Sequence, residues 1–311
     1  MNAASAIAPV IFMLALGFFA KKCKIVSDVQ NGGIKKLIFS ILLPILVFNA
    51  TFTMSIDPKY MKISAFMFIL QCVTLLLGAI IFRFIKNDYS HISPYMMTTI
   101  EGGNAFYPLY ISLVGAGFTS YFVLLDVPGI FMIFLVIPLV LAKKSAGGAS
   151  FGMMLKNIYT NPIVCALLAG IILNLTGVAK LFMKTPVFAV YEALASTATT
   201  PIGALILFTL GHSLTIEKDN LAPMLITIIA RIVLMGCAIG LAFVLFPWIL
   251  DDMQLKIAVI LFLMSPPAFG LPLVLGGIYK KDSDDAYCAT CTSMHMIVTV
   301  IVFALIAIFM K

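Results

Sequence analysis

The residues able to do chemistry are few and sit in unusual company. One stretch reads Glu101-Gly102-Gly103-Asn104-Ala105-Phe106-Tyr107-Pro108-Leu109, and a second reads Ser265-Pro266-Pro267-Ala268-Phe269-Gly270-Leu271-Pro272-Leu273. Both lie in the middle of long apolar runs. Proline removes a backbone donor and clashes with the preceding turn, and glycine loosens a helix further. The spacing therefore predicts two helices that break. Freed N–H and C=O groups at such breaks cannot face lipid and must be buried in protein or line a wet cavity. A helix that restarts after a break offers unpaired N–H groups and a partial positive charge, which suit a carboxylate. Asn104, with donors and an acceptor on one side chain, is the leading direct contact. Its alternative is an amide that braces the break. Gly103, Pro108, Pro267 and Pro272 shape the site, with Phe106, Tyr107 and Phe269 as candidate apolar walls.

Ionisable groups within apolar runs are rare and usually functional. Glu101 lies beside the first break and either binds a proton that travels with a ligand, orients Asn104, or stands in a polar vestibule. Asp126 is a candidate coupling or structural acid. Arg231 is about nine residues into its run, where snorkelling to the surface leads over pairing with Glu101 or neutralising an anion. His295 reads as a packed core residue. No His, Cys, Asp and Glu spacing completes a metal site, since Cys288-Ala-Thr-Cys291 lacks a second pair, and no cofactor motif is present. HExxH, GxSxG and the phosphate-binding GxxxxGK[ST] pattern are all missing, which argues against an enzyme and against nucleotide-driven work.

The elements that position these residues follow from composition. Apolar residues make up 62% of the 311 and charged residues 11%, too few polar groups to cover a water-facing surface. That excludes an ordinary soluble enzyme and a disulfide scaffold, and the net charge of +7 reads as a topology signal rather than a nucleic-acid footprint. No charge precedes the first apolar run and Lys21-Lys22 follow it, so it reads as a membrane span rather than a cleavable signal. Ten stretches are long enough to cross a bilayer, at about 3–20, 34–53, 62–82, 94–114, 119–142, 160–177, 187–211, 223–246, 253–278 and 286–310. With both termini outside, Lys and Arg favour the cytoplasmic loops roughly two to one.

The two halves echo one another. Pro9 with Gly17 in span one matches Pro162 with Gly170 in span six. Pro44 matches Pro201, and Pro108 matches Pro272. Five spans per half is odd, so the second half is inverted, as in secondary transporters. The expected domains are residues 1–142 (spans one to five), a cytoplasmic linker 143–159, and 160–311 (spans six to ten).

These residues in this order resemble the auxin efflux carrier family, which includes bacterial permeases for malate- or malonate-like anions. The resemblance is carried by the opening Pro-x7-Gly span, Leu43-Pro44-Ile45-Leu46-Val47-Phe48, Gly103-Asn104 to Pro108-Leu109, Asp126-Val127-Pro128-Gly129, Asn161-Pro162, Thr200-Pro201 to Gly211, Arg231, and the Pro/Gly segment before Tyr279-Lys280-Lys281-Asp282. It implies an all-α polytopic membrane protein of ten helices in two inverted repeats, the fold shared with bile-acid-type symporters. Spans 1, 2, 6 and 7 would form a scaffold and homodimer face. Spans 3–5 and 8–10 would form a transport domain in which broken spans four and nine cross. Span nine departs from the pattern, having Pro266-Pro267-Ala268-Phe269-Gly270 where many relatives carry a polar residue such as Asn. The implied activity is movement of a small organic anion across the cytoplasmic membrane by an elevator-type mechanism, with proton or sodium coupling. A ligand sensor on a carrier fold and a passive channel are the alternatives.

Overall fold

The structure is a computed structural model that describes residues 3–54, 58–144, 160–214, 221–281 and 283–310. Every regular element among them is helical. Among the described residues six helices are long and apolar enough to cross a membrane, so the chain is a helical membrane protein with several spanning segments. The expected linker 143–159 lies, from residue 145 onward, outside the described residues.

The chain opens with α1 (Ala3–Lys22). After a Ser27–Gln30 capping box it continues into α2 (Asp28–Thr53) and α3 (Pro58–Phe84). The expected fourth span is split into α4 (Ser93–Thr98) and α5 (Tyr107–Val114), and α6 (Thr119–Leu141) follows. The second half contains α7 (Pro162–Leu175), a short α8 (Val178–Phe182) that the sequence does not announce, and α9 (Val187–Ser213). Next come α10 (Leu221–Leu245), α11 (Met253–Leu263), the five-residue α12 (Leu271–Leu275) and α13 (Ser283–Phe309).

Three wide turns interrupt the helices of the first half, at Ile38–Leu42, Gly102–Phe106 and Met132–Val136. Each ends two residues before a proline: Pro44, Pro108 and Pro138. A proline ring has no N–H and collides with the carbonyl four residues back. The turn ahead of it expands instead. The residue before each proline donates to the carbonyl five back, Leu43 to Ile38, Tyr107 to Gly102 and Ile137 to Met132. The inserted residue re-aims the helix face that follows.

Two close helix pairs are built alike. A Cβ on Gly17 of α1 would lie 2.0 Å from the Phe208 carbonyl oxygen of α9, and one on Gly211 of α9 would lie 2.0 Å from that of Leu14. A Cβ on Gly170 of α7 would meet Thr51 Oγ1 of α2 at 1.9 Å and the Phe48 carbonyl oxygen at 2.9 Å. Small residues let backbones touch where no hydrophobic force drives helices together. The α7–α2 pair is locked at one end by Asn174, whose Nδ2 donates to the carbonyls of Thr51, Phe52 and Met54 at 2.9, 3.1 and 2.8 Å. Those three carbonyls lie where α2 ends, among the acceptors a helix C-terminus leaves over.

Candidate functional site

The two interrupted segments meet. Thr99 and Glu101 are extended between α4 and the wide turn that leads into α5, and residues 264–270 separate α11 from α12. The Glu101 N–H donates to the Pro266 carbonyl at 2.8 Å, and the Ala268 N–H donates to Thr99 Oγ1 at 3.3 Å. Backbone from the two breaks is thus paired directly, which satisfies polar main-chain groups that no regular helix serves.

Two buried charges complete the crossing, and they divide its ends by sign. Glu101 Oε1 accepts from the Asn104 backbone N–H at 2.9 Å and from Asn104 Nδ2 at 2.6 Å, while Oε2 accepts from the Phe269 N–H at 2.6 Å. One carboxylate therefore serves the free donors of both breaks. Arg231, fully buried on α10, does the opposite work. Its Nη1 donates to the carbonyls of Met96 and Met97 at 3.0 and 2.8 Å, and its Nη2 to that of Ser265 at 2.9 Å. These are the acceptors left where α4 and α11 stop. A cation at helix C-termini and an anion at a helix N-terminus is the favourable arrangement for the backbone dipoles, and bonds to charged groups contribute about 1.5–3 kcal/mol each.

A cavity of about 760 Å³ lies against this crossing. Of the sequence-predicted residues, Glu101, Gly103, Asn104, Asp126, Phe269 and Pro272 line it. Phe106, Tyr107, Pro108, Pro267 and Arg231 do not. Phe106 is fully buried against Tyr110 and Phe262, at ring distances of 5.0 and 5.3 Å. Tyr107 packs on Phe122 at 4.9 Å. The wide turn rotates both aromatic rings away from the cavity and into the core. Pro108 widens that turn and faces α9, its Cβ lying 3.9 Å from where a Cβ on Gly203 would be. Pro267 is buried within the break. Arg231 neither snorkels to the surface nor reaches the cavity, because the carbonyls of two stopped helices claim its guanidinium. Asp126 rests on Gly102 so closely that a Cβ there would lie 1.9 Å from Asp126 Oδ1.

The walls also hold residues that sequence reasoning took for topology signals. Lys35, Lys36, Phe39, Ser40, Leu43 and Val47 of α2 line the cavity. Lys35, Phe39, Leu43 and Val47 recur every four residues, which is one helix face, and that spacing is a signal the sequence does carry. All three wide turns border the same space through Phe39 and Ser40, through Gly102 to Asn104, and through Ile133 and Phe134.

The cavity is reached from one end of the bundle. Its rim comes from the start of α2 (Lys35, Lys36), the residues opening α7 (Asn161, Pro162), the end of α9 (Ser213, Leu214) and the start of α13 (Asp285). Nearby, Asp284 Oδ2 accepts from His91 Nε2 at 3.0 Å and from the Lys280 N–H at 2.6 Å. Lys281 Nζ donates to exposed Asp88 at 2.7 Å, a hydrogen bond that raises the ammonium above its ordinary range. A cluster of aromatic rings lies outside the cavity lining. Tyr60 meets Tyr121 and Trp248, each at 5.7 Å, Phe66 meets Phe246 at 5.6 Å, and the Tyr121 hydroxyl donates to Asp252.

No family model matches the chain, and no curated protein matches it.

Proposed function

We propose that the chain is a secondary carrier for a small organic anion, of the type its sequence resembles. The observation that carries this reading is the crossing of two interrupted helices at the wall of a cavity that reaches one end of the bundle. Spanning helices are broken where a polar solute or ion must meet backbone at membrane depth. The volume suits a small molecule. The lining offers Lys35, Lys36, the Ser40 hydroxyl and the Asn104 amide, donors that recognise a carboxylate, while the hydroxyls of Thr209, Ser213 and Thr292 donate to the carbonyls of Ile206, Thr209 and Cys288.

Ten spans in two inverted halves agree with the contacts. Under that topology Asn31 and Ser213, bonded at 3.1 Å, share the cytoplasmic end, as do Lys281 and Asp88. Asn174 with Met54, and Tyr121 with Asp252, share the outer end. The α1–α9 and α7–α2 glycine contacts are the pair that an inverted repeat relating span one to six and span two to seven would generate. The cavity then faces the cytoplasm, and the aromatic cluster of Tyr60, Tyr121 and Trp248 lies toward the outer side. Spans 1, 2, 6 and 7 form the scaffold and the face for a second copy. Spans 3–5 and 8–10 carry the crossing between the two sides of the cytoplasmic membrane, driven by an ion or solute gradient.

The test is counterflow by purified protein in liposomes against labelled acetate, lactate, malonate and succinate. Saturable counterflow is expected for at least one. Flux that never saturates would make it a channel, and binding without flux a sensor. Asn104→Ala should cut counterflow at least tenfold while insertion is retained. Unchanged transport would reject this site.

A further inference from the structure

At the crossing, the donors a solute carboxylate would need are already held by a carboxylate of the chain. Glu101 is 7% exposed and takes the Asn104 N–H, the Asn104 side-chain amide and the Phe269 N–H. The first two belong to the continuous run Gly102–Val114, which Glu101 caps, and the third to the other break. A second carboxylate cannot share them, because two like charges a few ångströms apart at low dielectric do not both stay ionised. Glu101 has no better place to carry its charge. Asp126, on α6, lies against Gly102 and is the nearest acid. Asp285, from α13, faces the same cavity. Lys35, from α2, is the cation whose field reaches Glu101, with Lys36 beside it on the cavity wall. Arg231 is held by three carbonyls on the far side of the crossing. The segment 264–270 and the stretch of α9 that lines the cavity bring no charge.

We propose, building on the carrier reading, that Glu101 is a tethered stand-in for the solute's carboxylate, and that a solute carboxylate gains Asn104 and the Phe269 N–H only as Glu101 takes up a proton, so that the two cross together one for one. The balance is simple. The proton adds to Glu101 Oε2, which changes from acceptor to donor and gives up the Phe269 N–H, while Oε1, now the carbonyl oxygen of a neutral acid and a weaker acceptor, yields the Asn104 side-chain amide. Both donors pass to the incoming carboxylate, and the new O–H of Glu101 donates to the same carboxylate. On release Glu101 returns the proton to water and recaptures its donors. No bond within the solute changes, and the anion cradle is never left empty at membrane depth.

The experiment uses the full chain in liposomes loaded with a pH-sensitive dye, with whichever of acetate, lactate, malonate or succinate shows counterflow as the probe. Half-saturation for the wild type should fall by about tenfold per pH unit on acidification while Glu101 is ionised in the empty site, the limit for one linked proton. Uptake should carry one proton per carboxylate bound at the crossing. Glu101→Gln, which keeps one acceptor and loses the charge, should change less than twofold with pH and move no proton with the probe. Asp126→Asn should keep the slope. A wild-type slope and dye signal retained in Glu101→Gln overturn the proposal and leave the carrier reading standing, as does flux that follows a sodium gradient without proton uptake. Infrared difference spectra of the wild type decide the case even if the variant fails to fold. A protonated-carboxyl stretch must appear on adding the probe, and its absence overturns the proposal. No counterflow of any panel anion at any pH refutes the carrier reading itself.

Discussion

Replacing Arg231 by methionine tests whether one buried cation holds the two stopped helices together. The guanidinium makes three bonds of 2.8–3.0 Å to carbonyls of Met96, Met97 and Ser265. None of these carbonyls has a following helical turn to pair with, and the site is closed to water. Three charge-assisted bonds at about 1.5–3 kcal/mol each give a gross loss of roughly 5–9 kcal/mol. Methionine fills most of the volume and removes the cost of burying a charge, which is itself several kcal/mol. The net loss is therefore expected near 3–5 kcal/mol, the usual range when one partner of a buried charged network is deleted. For a chain of this size that lowers the melting temperature by on the order of 10 °C. The assay is the fraction of purified protein that stays monodisperse in detergent after heating. Arg231→Lys should fall between wild type and methionine, because one ammonium lacks the fork that reaches two helix ends at once. Its solute half-saturation should stay within about twofold of wild type, since Arg231 does not line the cavity. A methionine variant melting within about 2 °C of wild type would show that these bonds do not hold the crossing. A lysine variant with a greatly weakened half-saturation would return Arg231 to the solute site.

Gly17→Ala should destabilise by several degrees, because its Cβ would lie 2.0 Å from the Phe208 carbonyl oxygen and α1 must move off α9. Gly32→Ala, with open space around it, should instead stabilise by about 0.5–1 kcal/mol through helix propensity; thermal melts of the two variants side by side check both signs. Ser40→Cys, in a background stripped of the exposed Cys23, Cys165 and Cys237, should react with an impermeant maleimide at least tenfold faster from the side bearing Lys35 and Lys36. Equal rates from both sides would contradict a cavity entered from the Lys35 and Lys36 side.

Much of the architecture is legible without coordinates. Low charge and long apolar runs dictate membrane helices, because a spanning segment must satisfy its backbone internally. The Gly102-Gly103 and Pro266-Pro267 clusters mark both breaks, since neither stretch can keep a regular helical ladder. Pro44, Pro108 and Pro138 each follow a widened turn, but Pro9 and Pro128 sit within regular helix, so a proline alone does not place one. The pairing of Gly17 with Gly170 is visible as a repeat, although the backbones they approach are not.

What each charged side chain does at the crossing is decided only by the tertiary structure. Sequence reasoning offered the N-terminal donors to a foreign carboxylate and sent Arg231 to the surface. The fold gives those donors to Glu101 and gives Arg231 three main-chain carbonyls, two of them more than 130 residues away. Lys35 likewise passes for a loop charge until α2 is seen to lean against the breaks. Residue types record which groups need partners. Peptide N–H and C=O groups are the same at every position, so which of them are left over, and which distant side chain meets them, is settled by how the helices stop and cross.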